Sequence, residues 1–139
     1  MKMMKKKKIK KPQKETKTIL EYYYMIPTKT DVKALEQVLT ADKLKAEQVE
    51  IWTELDLMEV VLADDSLIFQ NARDCFEDEE DLDFIKKHQI QTIYQLGFSE
   101  KDIDAAGEVL QYLIDEVGGM VCSDSDDFEP IYDKKHSII

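Results

Sequence analysis

The chain has 139 residues, a length typical of one domain, and its 30 acidic residues outnumber its 19 lysines and arginines. The charge is divided unevenly: residues 1–17 contain nine lysines and one acid, Glu15, whereas residues 18–139 contain ten basic and 29 acidic residues, a formal balance of −19. A body this acidic repels nucleic acid, and the absence of any apolar run of about 18 residues disfavours a membrane-spanning helix.

The lysine-rich start of the chain predicts a disordered tail over residues 1–17, because it has little apolar surface to bury. Lysine runs attract phosphate groups, but no aromatic residue interleaves these lysines to stack on bases. The segment also fails as a signal peptide, since no apolar stretch follows it. A tail that solubilises the protein or screens its acidic body is the simplest interpretation.

The first predicted elements are a strand and a helix. Residues 18–26 carry β-branched and aromatic side chains on both alternate faces, which predicts a central strand that ends at Pro27. Residues 31–40 repeat apolar side chains at helical spacing. Residues 48–57 alternate apolar and polar side chains and predict a half-exposed strand. A helix is the alternative there, because apolar residues over 51–62 also fit a period of about 3.6 residues.

A hairpin and a short helix are predicted next. Residues 58–63 and 67–69 flank an Asp-Asp-Ser turn and read as paired strands. Residues 78–88 predict a helix with acids at its start and basic residues at its end, as the helix dipole favours. Residues 90–96 then alternate like a strand, which Gly97 is expected to end.

The clearest helix is predicted over residues 100–117. Ser99 and Asp102 form a variant of the capping box at its start, a continuous apolar stripe follows, and a pair of glycines stops it. Residues 120–122 predict a short strand. The strand–helix–strand unit over residues 90–122 therefore predicts a right-handed crossover between two parallel strands.

The order of elements favours a single small α+β domain. We predict a mixed β-sheet with helices on one face, of ferredoxin-like character on element order alone. The folded domain is expected to span residues 18–132, with the disordered basic tail over residues 1–17 before it and a frayed tail over residues 133–139 after it.

Common catalytic machinery is missing from the sequence. It contains no GxSxG, HExxH, P-loop or GxGxxG motif and only two histidines, His88 and His136. Cys75 and Cys122 lie far apart and form no CxxC motif, so we expect reduced, partly buried thiols and a cytoplasmic location. A Cys–His pair is the remaining nucleophilic alternative. We favour a protein without enzymatic activity, cofactor or bound metal.

The strand predicted over residues 48–57 offers one candidate binding site. Its polar face carries acids around Trp52, the only tryptophan of the chain, and an aromatic side chain in such a setting is typical of protein interfaces. The alternative is that Trp52 packs under a loop or helix and the acids surround it. The candidate residues on this strand are Trp52, Glu54 and Asp56.

The loop over residues 123–130 offers a second candidate, with four carboxylates in the six residues 124–129. Such a cluster can bind Ca²⁺ or Mg²⁺, although the spacing and the lack of glycine do not match an EF-hand. The alternative is an exposed polar turn whose Asp and Ser side chains bond their own backbone, or one that contacts a partner. The candidate residues are Asp124, Asp126 and Asp127.

The charge of the body suggests the class of partner. Strong negative charge accelerates the capture of a basic partner and discourages binding to nucleic acid. The sequence therefore predicts a non-enzymatic acidic protein-binding domain, such as an immunity protein or antitoxin that neutralises a basic protein. A domain without such a role is nearly as compatible with the sequence. The alternative of another class is a metal-dependent enzyme or a Ca²⁺- or Mg²⁺-binding domain that uses the carboxylates of residues 124–129.

Overall fold

The computed structural model describes residues 18–125 and 127–134. The predicted lysine-rich tail, and residues 135–139 of the predicted C-terminal tail, lie outside the described residues. None of the described helices is long and apolar enough to cross a membrane. The described residues form three α-helices and seven strands.

The strands are β1 (Ile19–Ile26), β2 (Val49–Trp52), β3 (Leu57–Val61), β4 (Ser66–Asn71), β5 (Thr92–Ser99), β6 (Met120–Ser123) and β7 (Ile131–Tyr132). The helices are α1 (Val32–Asp42), α2 (Glu79–Lys87) and α3 (Ile103–Val117). Short 3-10 turns occupy Ala46–Gln48, Arg73–Cys75 and Glu100–Asp102.

The strands form one sheet in the order β2-β3-β4-β5-β1-β6-β7, and each neighbouring pair is antiparallel. The prediction of a mixed sheet is therefore wrong. The unit over residues 90–122 does join two strands of the same direction, β5 and β6, but both pair with β1, which lies between them. The central position predicted for the first strand is confirmed.

The two faces of the sheet are covered differently. Helices α1 and α3 pack on one face, where Tyr24, Leu96 and Leu110 belong to the main hydrophobic core. On the other face, α2 covers only part of the sheet, where Ile85 joins Met25 in a second, smaller core. The prediction that the helices share one face is wrong, because alternate residues of β1 point to the two cores and α2 packs on the side opposite α1 and α3.

The α3 helix and its stop agree with the sequence prediction. Its apolar stripe, including Leu110 and Leu113, is buried against the sheet. The helix ends at Gly118, which has a φ of 99°. Gly119 follows with a φ of 87°, and a β-carbon there would clash with the carbonyl oxygen of Met25. Both glycines are therefore required by the backbone path into β6.

The β2–β3 hairpin is the largest departure from the predicted elements. Residues 53–56 form a turn, and the strand predicted over residues 48–57 stops at Trp52. Asp56 closes the turn with a φ of 49°, a conformation that Asp tolerates better than most residues. Gly97 is a smaller departure. It does not end β5, because it pairs with Ile68 on one side and Glu21 on the other.

Asp102 fixes the β3–β4 turn rather than the helix. The side chain is 3% exposed, and its two carboxylate oxygens accept hydrogen bonds from the backbone amides of Asp64 and Asp65 at 2.8 and 2.7 Å. The predicted capping box is thus wrong for Asp102. Ser99 alone acts as the cap, with its hydroxyl oxygen accepting a bond from the Lys101 amide at 3.3 Å.

Replacing Asp102 by Ala is expected to lower the free energy of unfolding by about 2–3 kcal/mol, because two backbone amides lose a charged acceptor. Urea denaturation measures the change. The control is Asp104→Ala, which removes an exposed carboxylate two residues further along and is expected to cost less than about 0.5 kcal/mol. Equal losses in the two variants would show that Asp102 does not hold the turn.

Candidate functional site

One face of the sheet is left partly uncovered. On this face, side chains point away from α1 and α3, and none of the described helices packs over them. The side chains come from strands β2, β3 and β4 and from the adjoining parts of β5 and β1. We call this surface the open face, and none of its members is buried. They are Ile19, Glu21, Glu50, Trp52, Leu57, Glu59, Val61, Ile68, Gln70 and Gln95.

The open face combines apolar and acidic side chains. Trp52 is 36% exposed, Val61 49% and Ile19 50%. Its charged members are all glutamates, and no lysine, arginine or histidine lies among them. An apolar surface that is left exposed and bordered by polar residues is typical of an interaction site.

A row of glutamates crosses the open face. The strand register places Glu50 directly opposite Glu59, and the same row continues through Ile68 and Gly97 to Glu21. Residues directly opposite each other on neighbouring antiparallel strands have β-carbons about 4.5–5.5 Å apart, and like charges at that separation destabilise the pair. No basic member of the open face offsets the repulsion between the Glu50 and Glu59 carboxylates. A cationic group placed over the two carboxylates would reduce it.

The neighbouring row begins with two apolar side chains on β2 and β3. Trp52 lies opposite Leu57, and the row continues through Gln70 and Gln95 to Tyr23. Trp52 is thus on the exposed side of the edge strand, as the sequence predicts, rather than beneath a helix. Glu54, in the adjoining turn, is also exposed. An aromatic side chain and a pair of carboxylates therefore lie side by side on β2 and β3.

Asp56 does not belong to the open face, contrary to the sequence prediction. Its carboxylate accepts hydrogen bonds from the Val32 amide at 3.0 Å, the Tyr94 hydroxyl at 2.9 Å and the Asn71 side-chain amide at 2.6 Å. The tight turn rotates Asp56 out of the strand alternation and towards the start of α1. Asp56 therefore holds the hairpin in place, and its oxygens are already occupied within the protein.

The acidic loop after β6 lies at the opposite side of the sheet from Trp52. Five strand spacings separate β2 from β6, about 24 Å in total, so the structure does not gather the two predicted sets into one compact site. Asp124 and Asp127 are exposed, and Asp126 lies outside the described residues. One oxygen of Asp127 accepts a bond from the Glu129 amide at 3.0 Å, which fits a polar turn.

No three histidine, cysteine, aspartate or glutamate side chains in residues 18–125 and 127–134 are placed to hold a metal ion. The loop is anchored by an apolar group, because Phe128 is 3% exposed and packs in the smaller core. The alternative of a Ca²⁺ or Mg²⁺ site includes Asp126 and stays a prediction, which a cation titration followed by thermal shift would test.

The cysteines differ in their surroundings. Cys122 is fully buried, and burial, with a smaller contribution from Glu129, raises the pKa of its thiol to about 12. A thiol with a raised pKa forms little thiolate and is a poor nucleophile, which disfavours Cys122 in a Cys–His pair. Cys75 is exposed, so the prediction of a partly buried thiol is wrong at that position. His136 lies outside the part of the chain that the structure describes.

Two buried tyrosines are held by backbone acceptors. Tyr24 donates its hydroxyl to the Gly118 carbonyl oxygen at 2.7 Å, and burial raises its pKa. Burial and the hydrogen bond with Asp56 raise the pKa of Tyr94. Both hydroxyls have a structural role: that of Tyr24 links the sheet to the end of α3, and that of Tyr94 links it to the β2–β3 turn. Neither is poised to exchange a proton near neutral pH.

The open face is the candidate functional site in the described part of the chain. No protein-family model, curated protein or solved structure matches the chain. The function is therefore inferred from the open face. Of the residues that the sequence prediction named, Trp52 lies on the open face and Glu54 in the adjoining turn, whereas Glu59 and Glu21 were not named. A hairpin turn placed at residues 53–56 would have revealed Glu59, because it sets Glu50 and Glu59 in register.

The free energy of unfolding is expected to keep its full value below about pH 9 and to fall as the pH rises further. Cys122, Tyr24 and Tyr94 have pKa values raised by folding, so the unfolded chain releases these protons at a lower pH than the folded one. Cys122→Ala is expected to remove the first part of the decline, between about pH 9 and 10.

Urea denaturation at several pH values tests this expectation, with the slope of stability against pH as the readout. Cys75→Ala is the control, because it removes an exposed thiol and leaves the buried Cys122 in place. A Cys122→Ala profile parallel to that of the wild-type chain between about pH 9 and 10 would contradict the burial of the thiol.

Proposed function

We propose that this chain is a non-enzymatic acidic protein-binding domain that captures a basic protein on the open face, in the manner of an immunity protein or antitoxin that covers a basic site. The observation that carries the proposal is the pairing of Glu50 with Glu59. Two like charges stand directly opposite each other on an exposed face that has no basic residue. Such a pair costs stability in the free protein and gains it when a cation arrives.

The chemistry of the two rows favours arginine or lysine from a partner, set beside an apolar contact. An arginine can bridge two carboxylates with parallel hydrogen bonds, and its guanidinium plane also stacks on aromatic rings. Trp52 lies two residues from Glu50 on the same strand and side, within reach of the same cationic side chain. Tryptophan at the centre of an interface commonly contributes a large share of the binding energy.

The remaining acids act at longer range. Glu54, Asp124 and Asp127 are exposed but lie outside the glutamate row, and Asp126 adds a further carboxylate to the loop sequence. We assign these four to steering, because charges at the rim of an interface mainly change the rate of association. With a formal charge of −19 on residues 18–139, the field of the whole body favours encounter with a basic protein.

Two further aspects of the proposal concern fold and compartment. The order β4-β5-β1-β6, with α1 and α3 on one face, supports a ferredoxin-like central unit to which the β2–β3 hairpin is added at one edge. The two free cysteines support a reducing compartment such as the cytoplasm. Neither aspect depends on the identity of the partner.

The test is affinity capture from native cell extract on the immobilised full chain, followed by binding kinetics with each captured basic protein. Trp52→Ala is expected to weaken binding at least about tenfold, as loss of an interface tryptophan does. Glu50→Gln with Glu59→Gln is expected to slow association several-fold and to reduce its dependence on salt.

Matched variants on the opposite side of the sheet are the controls. Ile103→Ala removes an apolar side chain that is 44% exposed on α3, and Glu36→Gln with Glu116→Gln removes two acids on α1 and α3. These controls are expected to bind like the wild-type chain. Loss of binding in the controls, with the open-face variants unaffected, would place the interface elsewhere and refute the proposal.

A further inference from the structure

We infer that the chain's own lysine-rich segment, residues 1–17, occupies the open face when no partner is bound, with its lysines over the row formed by Glu21, Glu59 and Glu50. This contact within one chain goes beyond the proposed function, because it assigns an occupant to the open face of the free protein. Three observations carry it: where the segment joins the body, how far it reaches, and which charges it meets.

The segment joins the body at the margin of the open face. The Thr18 carbonyl oxygen accepts a hydrogen bond from the Glu100 amide at 2.8 Å, and Ile19, the first residue of β1, is itself a member of the face. The side chain of Ile19 lies over Gly97, in the middle of the sheet. Thr18, to which the segment is joined, therefore lies beside the surface that we assign to the segment.

The reach of the segment is ample. The sheet order β1-β5-β4-β3-β2 sets four strand spacings, about 19 Å, between β1, which follows the segment, and Glu50 on β2. Seventeen extended residues span up to about 56 Å. Because the lysines belong to the same chain, their effective concentration at the face is on the order of millimolar, so that individually weak contacts are populated.

The charges are complementary. The segment has nine lysines and one acid, and the open face has three glutamates and no basic residue. Lysines over Glu50 and Glu59 would offset the repulsion between these two carboxylates in the free protein. A basic partner on the same face would have to displace the segment, which lowers its apparent affinity. That competition rests on the proposed function, whereas the contact within the chain does not.

Zero-length coupling in the full-length protein tests the contact directly. A water-soluble carbodiimide activates a carboxylate and leaves as the urea when a lysine amine forms the amide, with net loss of one water, and mass spectrometry of peptides locates each bond. Coupling of lysines in residues 1–17 to Glu50 and Glu59 is expected at low salt, with a marked loss at about 0.5 M salt, where screening acts within a few ångströms.

The controls of this experiment are acids on the other side of the sheet. Glu36 and Glu116 lie on α1 and α3, and are expected to couple far less than Glu50 and Glu59. Equal coupling to these controls, or no coupling to Glu50 and Glu59, would overturn the inference. In a mixture of isotope-labelled and unlabelled chains, bonds between the two kinds would show a second copy on the face and would also overturn it.

A charge-reduced segment separates this inference from the proposed function. The full chain with Lys5→Gln, Lys6→Gln, Lys7→Gln and Lys8→Gln is expected to bind a captured basic partner several-fold more tightly, while Lys86→Gln with Lys87→Gln changes the affinity little. Unchanged affinity in the first variant, with binding still lost in Trp52→Ala, would refute competition by the segment and leave the proposed function standing.

Discussion

The hydrogen bonds of the Asp56 carboxylate hold the uncovered part of the sheet in place. They join the β2–β3 turn to the first amide of α1, at Val32, and to the hydroxyl of Tyr94 on β5. Asp102 does the same at the other end of these strands by binding the β3–β4 turn to the start of α3. Because both ends of the β2–β4 meander are held by hydrogen bonds and its inner side packs on the main core, its outer side needs no helix to stay in place.

The open face follows from that arrangement. Its side chains are not part of the main core, which lies on the opposite side of the sheet. They can therefore contact another molecule without a change in the packing of that core. Glu50 and Glu59 stand opposite each other at a cost that a lysine, a glutamine or a threonine at either position would remove. This pair and the exposed Trp52 are the basis of our proposal that the open face binds a positively charged partner.

Local sequence patterns correctly predicted α3 and β1, whose residues carry the pattern themselves. The stripe of α3 and its Gly118 stop, and the two-sided apolar run of β1, needed no distant partner to be recognised. The role of Asp56 could not be predicted, because Val32 and Tyr94 lie 24 and 38 residues away. The alternation over residues 48–57 continues through a tight turn, so it concealed the hairpin and with it the register that makes the glutamate row. Helix α2 packs on the face of the sheet that α1 and α3 leave uncovered. A local sequence pattern cannot predict which face that is.

Hydroxyl-radical footprinting of the chain in complex with a captured basic protein tests most directly whether the open face is the interface. The method reports which side chains become protected from oxidation. The account predicts that Trp52 and Leu57 are protected in the complex, while Ile103 on α3 and Leu82 on α2, which are 44% and 41% exposed, are oxidised as in the free chain. Protection of Ile103 or Leu82, with Trp52 oxidised as readily as before, would contradict it.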